Sequence, residues 1–163
     1  MTDAHAIFEE LVGQLEYPMF LVTAAAAGER AGCLVGFATQ ASIDPGRFLV
    51  GLSRANRTFR VAQDAEVIVV HFLPEDAGDL AELFGGETGD EVDKFAQVAW
   101  EPGPGGAPVL QRLDHWFAGR VLERWDFGDH VGHLLEPVAG ASRGDLESFT
   151  FHRAKRIEPG HQP

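Results

Sequence analysis

Cysteine is almost absent. Cys33 is the single one in 163 residues, which excludes an intrachain disulfide and a thiolate metal cluster. Cations are scarce as well: 13 Lys and Arg stand against 25 Asp and Glu, for a net charge of -12. Such a surface releases few counterions from a phosphate backbone, so a nucleic-acid partner is excluded, and the same sign disfavours an anionic membrane surface. No apolar run approaches the roughly 18 to 20 residues of a membrane-spanning helix. The opening Met1-Thr2-Asp3-Ala4-His5 lacks the basic start of a secretory signal, so a cytoplasmic location is expected. Also missing are a nucleophile triad motif, a Walker loop, a dinucleotide fingerprint and a fixed-period repeat.

What is present is the composition of an ordinary globular chain, 45% hydrophobic and 23% charged, with a length suited to one domain. Residues 1–163 are expected to form a single domain: an N-terminal helix over 1–16, a β body over 17–157 and a tail over 158–163. Ile7, Phe8, Leu11, Val12 and Leu15 recur at spacings of three and four between Asp3 and Leu15, which predicts an amphipathic helix capped by Thr2 or Asp3. After Tyr17-Pro18 the pattern changes. Short β-prone runs cover Met19 to Thr23, Cys33 to Thr39, Phe48 to Ser53 and Val67 to Leu73, separated by Gly, Asp and Pro. Thr58 to Gln63 and Ala77 to Phe84 read as short helices, the second stopped by Gly85-Gly86. The Gly/Pro-rich stretch Glu101 to Pro108 reads as a surface connection between Val92 to Trp100 and a second β half. That half comprises Asp114 to Glu123, His130 to Val138 and Ser148 to His152. About seven short strands predict a mainly β barrel or sandwich.

The most informative feature is a charge asymmetry. Pro45 to Gln63 holds no Asp or Glu, yet carries Arg47, Arg54, Arg57 and Arg60. At its centre Ser53-Arg54-Ala55-Asn56-Arg57-Thr58 adds hydroxyl and amide groups where a helix begins, an arrangement suited to phosphate oxygens. A plainer reading stands beside it: Ser53 or Asn56 as an N-cap, and the arginines solvated or paired with distant carboxylates.

The order of segments resembles the flavin reductase family. Gly32-Cys33-Leu34-Val35-Gly36-Phe37-Ala38-Thr39-Gln40-Ala41-Ser42-Ile43-Asp44-Pro45 is similar to the family's glycine-to-proline stretch, and Ser53 to Thr58 to its phosphate-proximal segment. Leu83-Phe84-Gly85 with Asp93-Lys94-Phe95, then Pro108-Val109-Leu110, Gly128-Asp129-His130 and Phe151-His152-Arg153 follow in the family's order, so the resemblance runs from Tyr17 to Arg156. It implies a split antiparallel β-barrel with Greek-key connections and a few short helices. It also implies a homodimer that binds FMN, or FAD, in a groove near the subunit interface, with NADH or NADPH as hydride donor. Thr39, Gln40, Ala41 and Ser42 would then face the flavin ring and ribityl chain, and Ser53, Asn56, Arg57 and Thr58 the phosphate. Lys94 and Phe95 would cover the flavin, although Phe95 fits a core position on the Val92, Phe95, Val98 spacing equally well. Trp100, Trp116 and Trp125 are assigned to the core. His130 would lie near the ring and the nicotinamide, its alternative being a turn histidine bonded to Asp129. His130 and His133 fall on opposite faces of a strand, against a shared metal. Departures from the family occur at Leu34 and Gly36, where relatives carry small hydroxyl or amide residues, and at Gln40, commonly a serine.

Three functional readings follow. The first is an NAD(P)H-dependent flavin reductase, in one variant the supplier of reduced flavin to a flavin-dependent monooxygenase. The second is a non-catalytic or electron-relay FMN-binding protein, and the third a barrel that has lost its cofactor, for which Leu34 and Gly36 are the supporting residues.

Overall fold

The computed structural model describes residues 3–86 and 93–157. Thr2 as a cap, Val92 and the tail 158–163 lie outside the described residues. The opening helix, α1 (Ala4–Gly13), forms as its periodicity predicts, and Asp3 caps it by accepting a hydrogen bond from the His5 amide at 3.0 Å. The chain continues through β1 (Phe20–Ala26), β2 (Glu29–Val35), β3 (Ala38–Ser42), β4 (Arg47–Ser53), α2 (Arg57–Ala62), β5 (Val67–Phe72) and α3 (Gly78–Gly86). It closes with β6 (Trp100–Pro102), β7 (Pro108–Leu110), β8 (His115–Asp126), β9 (His130–Ser142) and α4 (Phe151–Ala154).

Seven strands form one antiparallel sheet in the order β2-β1-β5-β8-β9-β4-β3, and β6 pairs with β7 separately. The two edge strands of that sheet, β2 and β3, are joined by Gly36 and Phe37 alone. Two residues span well under 10 Å, so the sheet rolls up until its edges meet, and the gap between them is the split of the barrel. A β-prone run expected from Cys33 to Thr39 is thereby cut in two. The break falls at Gly36 because a Cβ there would lie 2.9 Å from the Tyr17 ring and 3.1 Å from the Met19 sulfur.

Inside the roll, Val22, Val50, Leu52, Ile68, Val70 and Leu135 pack together, and α2 plugs them with Phe59, Val61 and Ala62. Outside β1 and β5 a second core forms from Leu21, Leu73, Leu80, Phe84, Leu110 and Phe149. β1 and β5 are consequently buried on both faces. His71 of β5 ties this region: its Nδ1 donates to the Leu21 carbonyl at 2.9 Å, and its Nε2 accepts from the Leu110 amide at 3.0 Å. Burial pushes its pKa down to about 4, because an imidazolium would be stranded in that core. Nearby, the Thr23 hydroxyl donates to the Pro108 carbonyl at 2.5 Å, fastening β1 to the Gly/Pro connection.

One expected strand is replaced. Ser148 to His152 makes only single bridges, Pro74 with Ser148 and Pro18 with Thr150, and then turns into α4. Phe149 explains the alternation read in the sequence: it is driven into the second core while its amide donates to Leu73 and its carbonyl accepts from Met19, both at 2.8 Å. That pairing runs only from Glu147, whose carbonyl accepts from Glu75 at 2.7 Å, to Phe151, whose amide donates to Tyr17 at 2.9 Å, and Thr150 is already the N-cap of α4.

Candidate functional site

The site grows from the seam of the barrel. β4 ends at Ser53 directly opposite His130, the first residue of β9. The Gly36-Phe37 linker lies along β4, its Phe37 carbonyl accepting from the Gly51 amide at 2.7 Å. Glycine is needed at position 51, since a Cβ would stand 3.3 Å from both the Cβ and the carbonyl oxygen of Phe37. The Phe37 ring then rests 4.8 Å from the imidazole of His130. His130 Nδ1 donates to Asp129 Oδ1 at 2.8 Å, and that bond holds the Asp129 carboxyl below the usual carboxylate range.

Two adjoining hollows open here. One, of about 240 Å³, runs between β2 and the β4–α2 turn and is lined by Leu34, Gly36, Ser53, Asn56 and His130 among others. The other, of about 920 Å³, lies between α1 and the ends of β3, β4 and β9, with Phe8, Val12, Phe37, Thr39, Phe127 and His130 in its wall. Tyr17, Gly36, Phe37, Gly51, His130 and Phe151 border both. The larger hollow has the size of a cofactor site. Its charged lining consists of Glu9 and Asp129 with His130, and it includes neither Lys nor Arg.

The structure brings four of the expected residues together. Thr39 lines the larger hollow, Ser53 and Asn56 the smaller, and His130 both. Ser53 and Asn56 also do what the plainer reading supposed: Ser53 Oγ accepts from the Ala55 amide at 3.3 Å, and Asn56 Oδ1 caps α2 by accepting from the Thr58 amide at 3.0 Å. Gln40, Ala41 and Ser42 continue along the edge strand β3 outside both linings, with Gln40 Nε2 donating to the Ser42 carbonyl at 3.2 Å. Thr58 is buried beside the thiol of Cys33, whose pKa is pushed up by burial against the pull of that hydroxyl and of Lys94.

The arginine window divides. Arg54 Nε donates to the Gly128 carbonyl at 2.9 Å, and its Nη2 lies 3.0 Å from Asp126. It therefore braces the β4–α2 turn against the β8–β9 turn and holds the Asp126 carboxyl below its ordinary pKa. Arg57 Nη1 donates to the Arg30 carbonyl at 2.7 Å. Lys94 and Phe95 sit on the far side of β2. Lys94 is buried and donates to Gly32 and to Phe84 near the C-terminal end of α3, while Phe95 packs edge-on against Phe84 and Trp100. Neither borders these two hollows, and the packing of Phe95 against Phe84 and Trp100 matches its core reading. His133 faces the interior away from His130, with Nδ1 donating to the Val131 carbonyl at 3.0 Å.

Sequence reasoning passed over several lining residues. Gly51 interrupts an apolar strand, which is the signature of a close backbone approach. Phe37 and Phe127 are 60% and 55% exposed, and clustered exposed aromatics mark a binding surface. Nothing in the periodicity of α1 indicated that Phe8 and Val12 would face a hollow rather than a core.

The pattern of the flavin reductase like domain matches residues 12–158. The chain belongs to the flavin reductase-like family. The FMN reductase (NADH) RutF of Agrobacterium fabrum is 31% identical over 151 residues, 92% of this chain and 86% of that protein. The stachydrine N-demethylase reductase subunit Stc3 of Rhizobium meliloti is 31% identical over 142 residues, and the chain, with 85% of its length, spans 60% of that subunit. Among solved structures, a flavin reductase domain protein from Arthrobacter sp. FB24 superposes with a TM-score of 0.82 over 91% of each chain at 23% identity, a likeness of fold. The match covers the whole seam from Tyr17 to Phe151 and all of the smaller hollow, while Phe8 and Glu9 of the larger one precede it.

Proposed function

We propose that this chain is a flavin reductase that binds FMN across the two hollows and passes to it a hydride from NADH. One observation carries the reading: the barrel's seam opens into a largely apolar space of about 920 Å³, continuous past Phe37 and His130 with hydroxyl and amide groups at Ser53 and Asn56. Apolar walls with a few convergent polar groups suit a flat ring system with a polar tail. When bound, the flavin supplies the redox chemistry, accepting two electrons as hydride. The chain's own residues supply position. Phe37 and Phe127 wall the ring and exclude water. Thr39, with the backbone of the seam, orients its polar edge. Ser53 and Asn56 receive the phosphate end, with Arg57 and Thr58 at the start of the same helix. Gln40, Ala41 and Ser42 extend this contact surface along β3.

His130, anchored by Asp129, orients the nicotinamide carboxamide against the flavin. Glu9 and Asp129 in the lining leave a 2′-phosphate facing carboxylates, which favours NADH over NADPH. FAD is accommodated to the extent that its adenosine extends along the α1 side. The exposed Phe37, Trp125 and Phe127 form an apolar rim beside the site, which a second copy of the chain covers in a homodimer. As one domain of this kind, with α1 before a barrel over 17–157, the protein delivers reduced flavin to a monooxygenase in the cytoplasm. The reductase role in an N-demethylase system carried by the Rhizobium relative's name supports that partner. Among the described residues no helix is long and apolar enough to cross a membrane.

An absorption spectrum of the purified protein, with FMN and before and after anaerobic NADH, tests the proposal. The flavin band should be perturbed by the protein and bleach with NADH. A colourless protein that leaves added FMN unperturbed, or a yellow one that NADH does not reduce, overturns it; the latter outcome selects the electron-relay reading.

A further inference from the structure

No residue of α1 is buried, yet this helix forms a wall of the larger hollow through Phe8, Val12 and Gly13. A helix of 10 residues without a core anchor does not hold its own position, and the contacts that hold this one come from the other end of the chain. At the start of α4, the His152 amide donates to Glu16 Oε1 at 3.1 Å and its ring Nδ1 to Glu16 Oε2 at 2.8 Å. Its Nε2 reaches the carbonyl of Gly13, the last residue of α1, at 3.3 Å. That carbonyl is one of those a helix leaves unsatisfied at its C-terminus, where a cation is favoured. Next to it, Phe151 stacks on Tyr17 with ring centroids 4.6 Å apart, and its amide donates to the Tyr17 carbonyl at 2.9 Å. Both rings border the hollows.

We propose that His152 is a positioning residue that latches α1 over the cavity, so that the latch governs entry and release of the flavin; the identity of the occupant rests on the reading above. The latch depends on a proton. Nδ1 and Nε2 both face acceptors, and both bonds form together only in the imidazolium, whereas the neutral ring turns a lone pair towards the carboxylate or the carbonyl. The charged groups around it act in opposite senses, the Glu16 carboxylate favouring the protonated ring and the cations of α4 opposing it. From the α1–β1 connection comes the Glu16 carboxylate, kept below its ordinary pKa first by the His152 amide and ring and further by the Thr150 hydroxyl. Beside it stands the Tyr17 phenol, raised by burial and by the charge of Glu16. From α4 and its continuation come Arg153 and Lys155, whose cations lie over the rings of Phe149 and Phe151.

The experiment compares the full chain with His152→Ala and His152→Gln. Hydrogen exchange of the α1 amides is followed by mass spectrometry on flavin-free protein at about pH 5.5 and about pH 8.5. Wild-type protection, corrected for intrinsic exchange, should fall about tenfold between the two, on the scale of one charge-assisted hydrogen bond. His152→Ala should lose it at both, and His152→Gln, which keeps one donor, should be intermediate and independent of pH. FMN dissociation followed by stopped flow should accelerate in the same order. Equal α1 protection in all three chains overturns the latch. Loosened α1 with unchanged FMN release overturns its role over the cavity. A wild-type chain that takes up no FMN sinks the flavin reading instead, and the exchange measurement, which needs no flavin, still decides the latch.

Discussion

β1 and β3 belong to one sheet and differ in almost everything the sheet asks of a strand. β1 sends Val22 into the barrel and Leu21 into the outer core, and even its Thr23 is buried and bonded to Pro108. β3 is an edge strand whose Thr39, Gln40 and Ala41 are exposed. The same contrast separates two histidines. His71 beside β1 has both ring nitrogens consumed by backbone partners, which leaves it a structural pin. His130, across β4 from β3, spends Nδ1 on Asp129 and keeps its ring at the lip of two hollows. The region closed on both faces carries stability, and the region left bare on one face is where the proposed site lies. Mutations on the two sides should therefore separate into different measurements.

The largest separation should come from His71. Replacing it by Ala removes the acceptor for Leu110 and the donor to Leu21 and opens a cavity, costing about 3 kcal/mol or more by chemical denaturation while leaving FMN affinity per folded molecule unchanged. A loss of FMN binding without loss of stability would break the comparison. Nearly as large is the pH dependence from the same residue. Its pKa is depressed in the folded protein, from 6.5 to about 4, so the folded state disfavours the bound proton. Stability is complete above the unfolded pKa and is lost as pH falls from 6.5 towards 4. The total is about 3 kcal/mol, at 1.36 kcal/mol per unit, and the slope should be reduced in His71→Leu to the part left by His133, whose pKa burial also lowers.

On the open side, His130→Ala should lower kcat/KM for NADH about 10- to 100-fold, with the melting temperature within a few degrees of wild type. An unchanged kcat/KM would remove His130 from the site. Asn56→Ala straddles the two regions. It should cost about 1 kcal/mol of stability through the lost cap of α2 and should also weaken FMN binding. A stability loss alone would reduce Asn56 to its capping role. The smallest effect is expected of Glu9→Lys, an exposed position: a few-fold gain in kcat/KM for NADPH over NADH, the scale of one surface charge pair.

Legibility in the sequence followed the same division. The central strands announced themselves, because Phe48 to Ser53 and Val67 to Leu73 are β-prone runs between turn residues, and β4 and β5 lie where those runs predict. α1 was legible from its periodicity, but its exposure was not, since an apolar stripe is the same whether it meets a core or a hollow. The lining of the hollows was partly legible. Ser53 and Asn56 stand out as hydroxyl and amide groups at a helix start within the acid-free window, and Thr39 and His130 only through the family resemblance. Lys94 is not where its charge suggests: it is buried, with backbone carbonyls of Gly32 and Phe84 accepting its hydrogen bonds. Arg54 and Arg57 drew attention as a cationic window, yet they donate to backbone carbonyls brought from far along the chain, Gly128 in the β8–β9 turn and Arg30 in β2. Local sequence cannot report partners supplied by folding.

Because the two-residue Gly36-Phe37 connection joins opposite margins of a rolled sheet, those margins touch without a ladder of hydrogen bonds to rivet them. Whatever settles between them spans both flanks and acts as a staple. Occupancy and resistance to unfolding are thereby coupled by mass action, and the strand margins that could otherwise recruit foreign β-structure are kept facing one another.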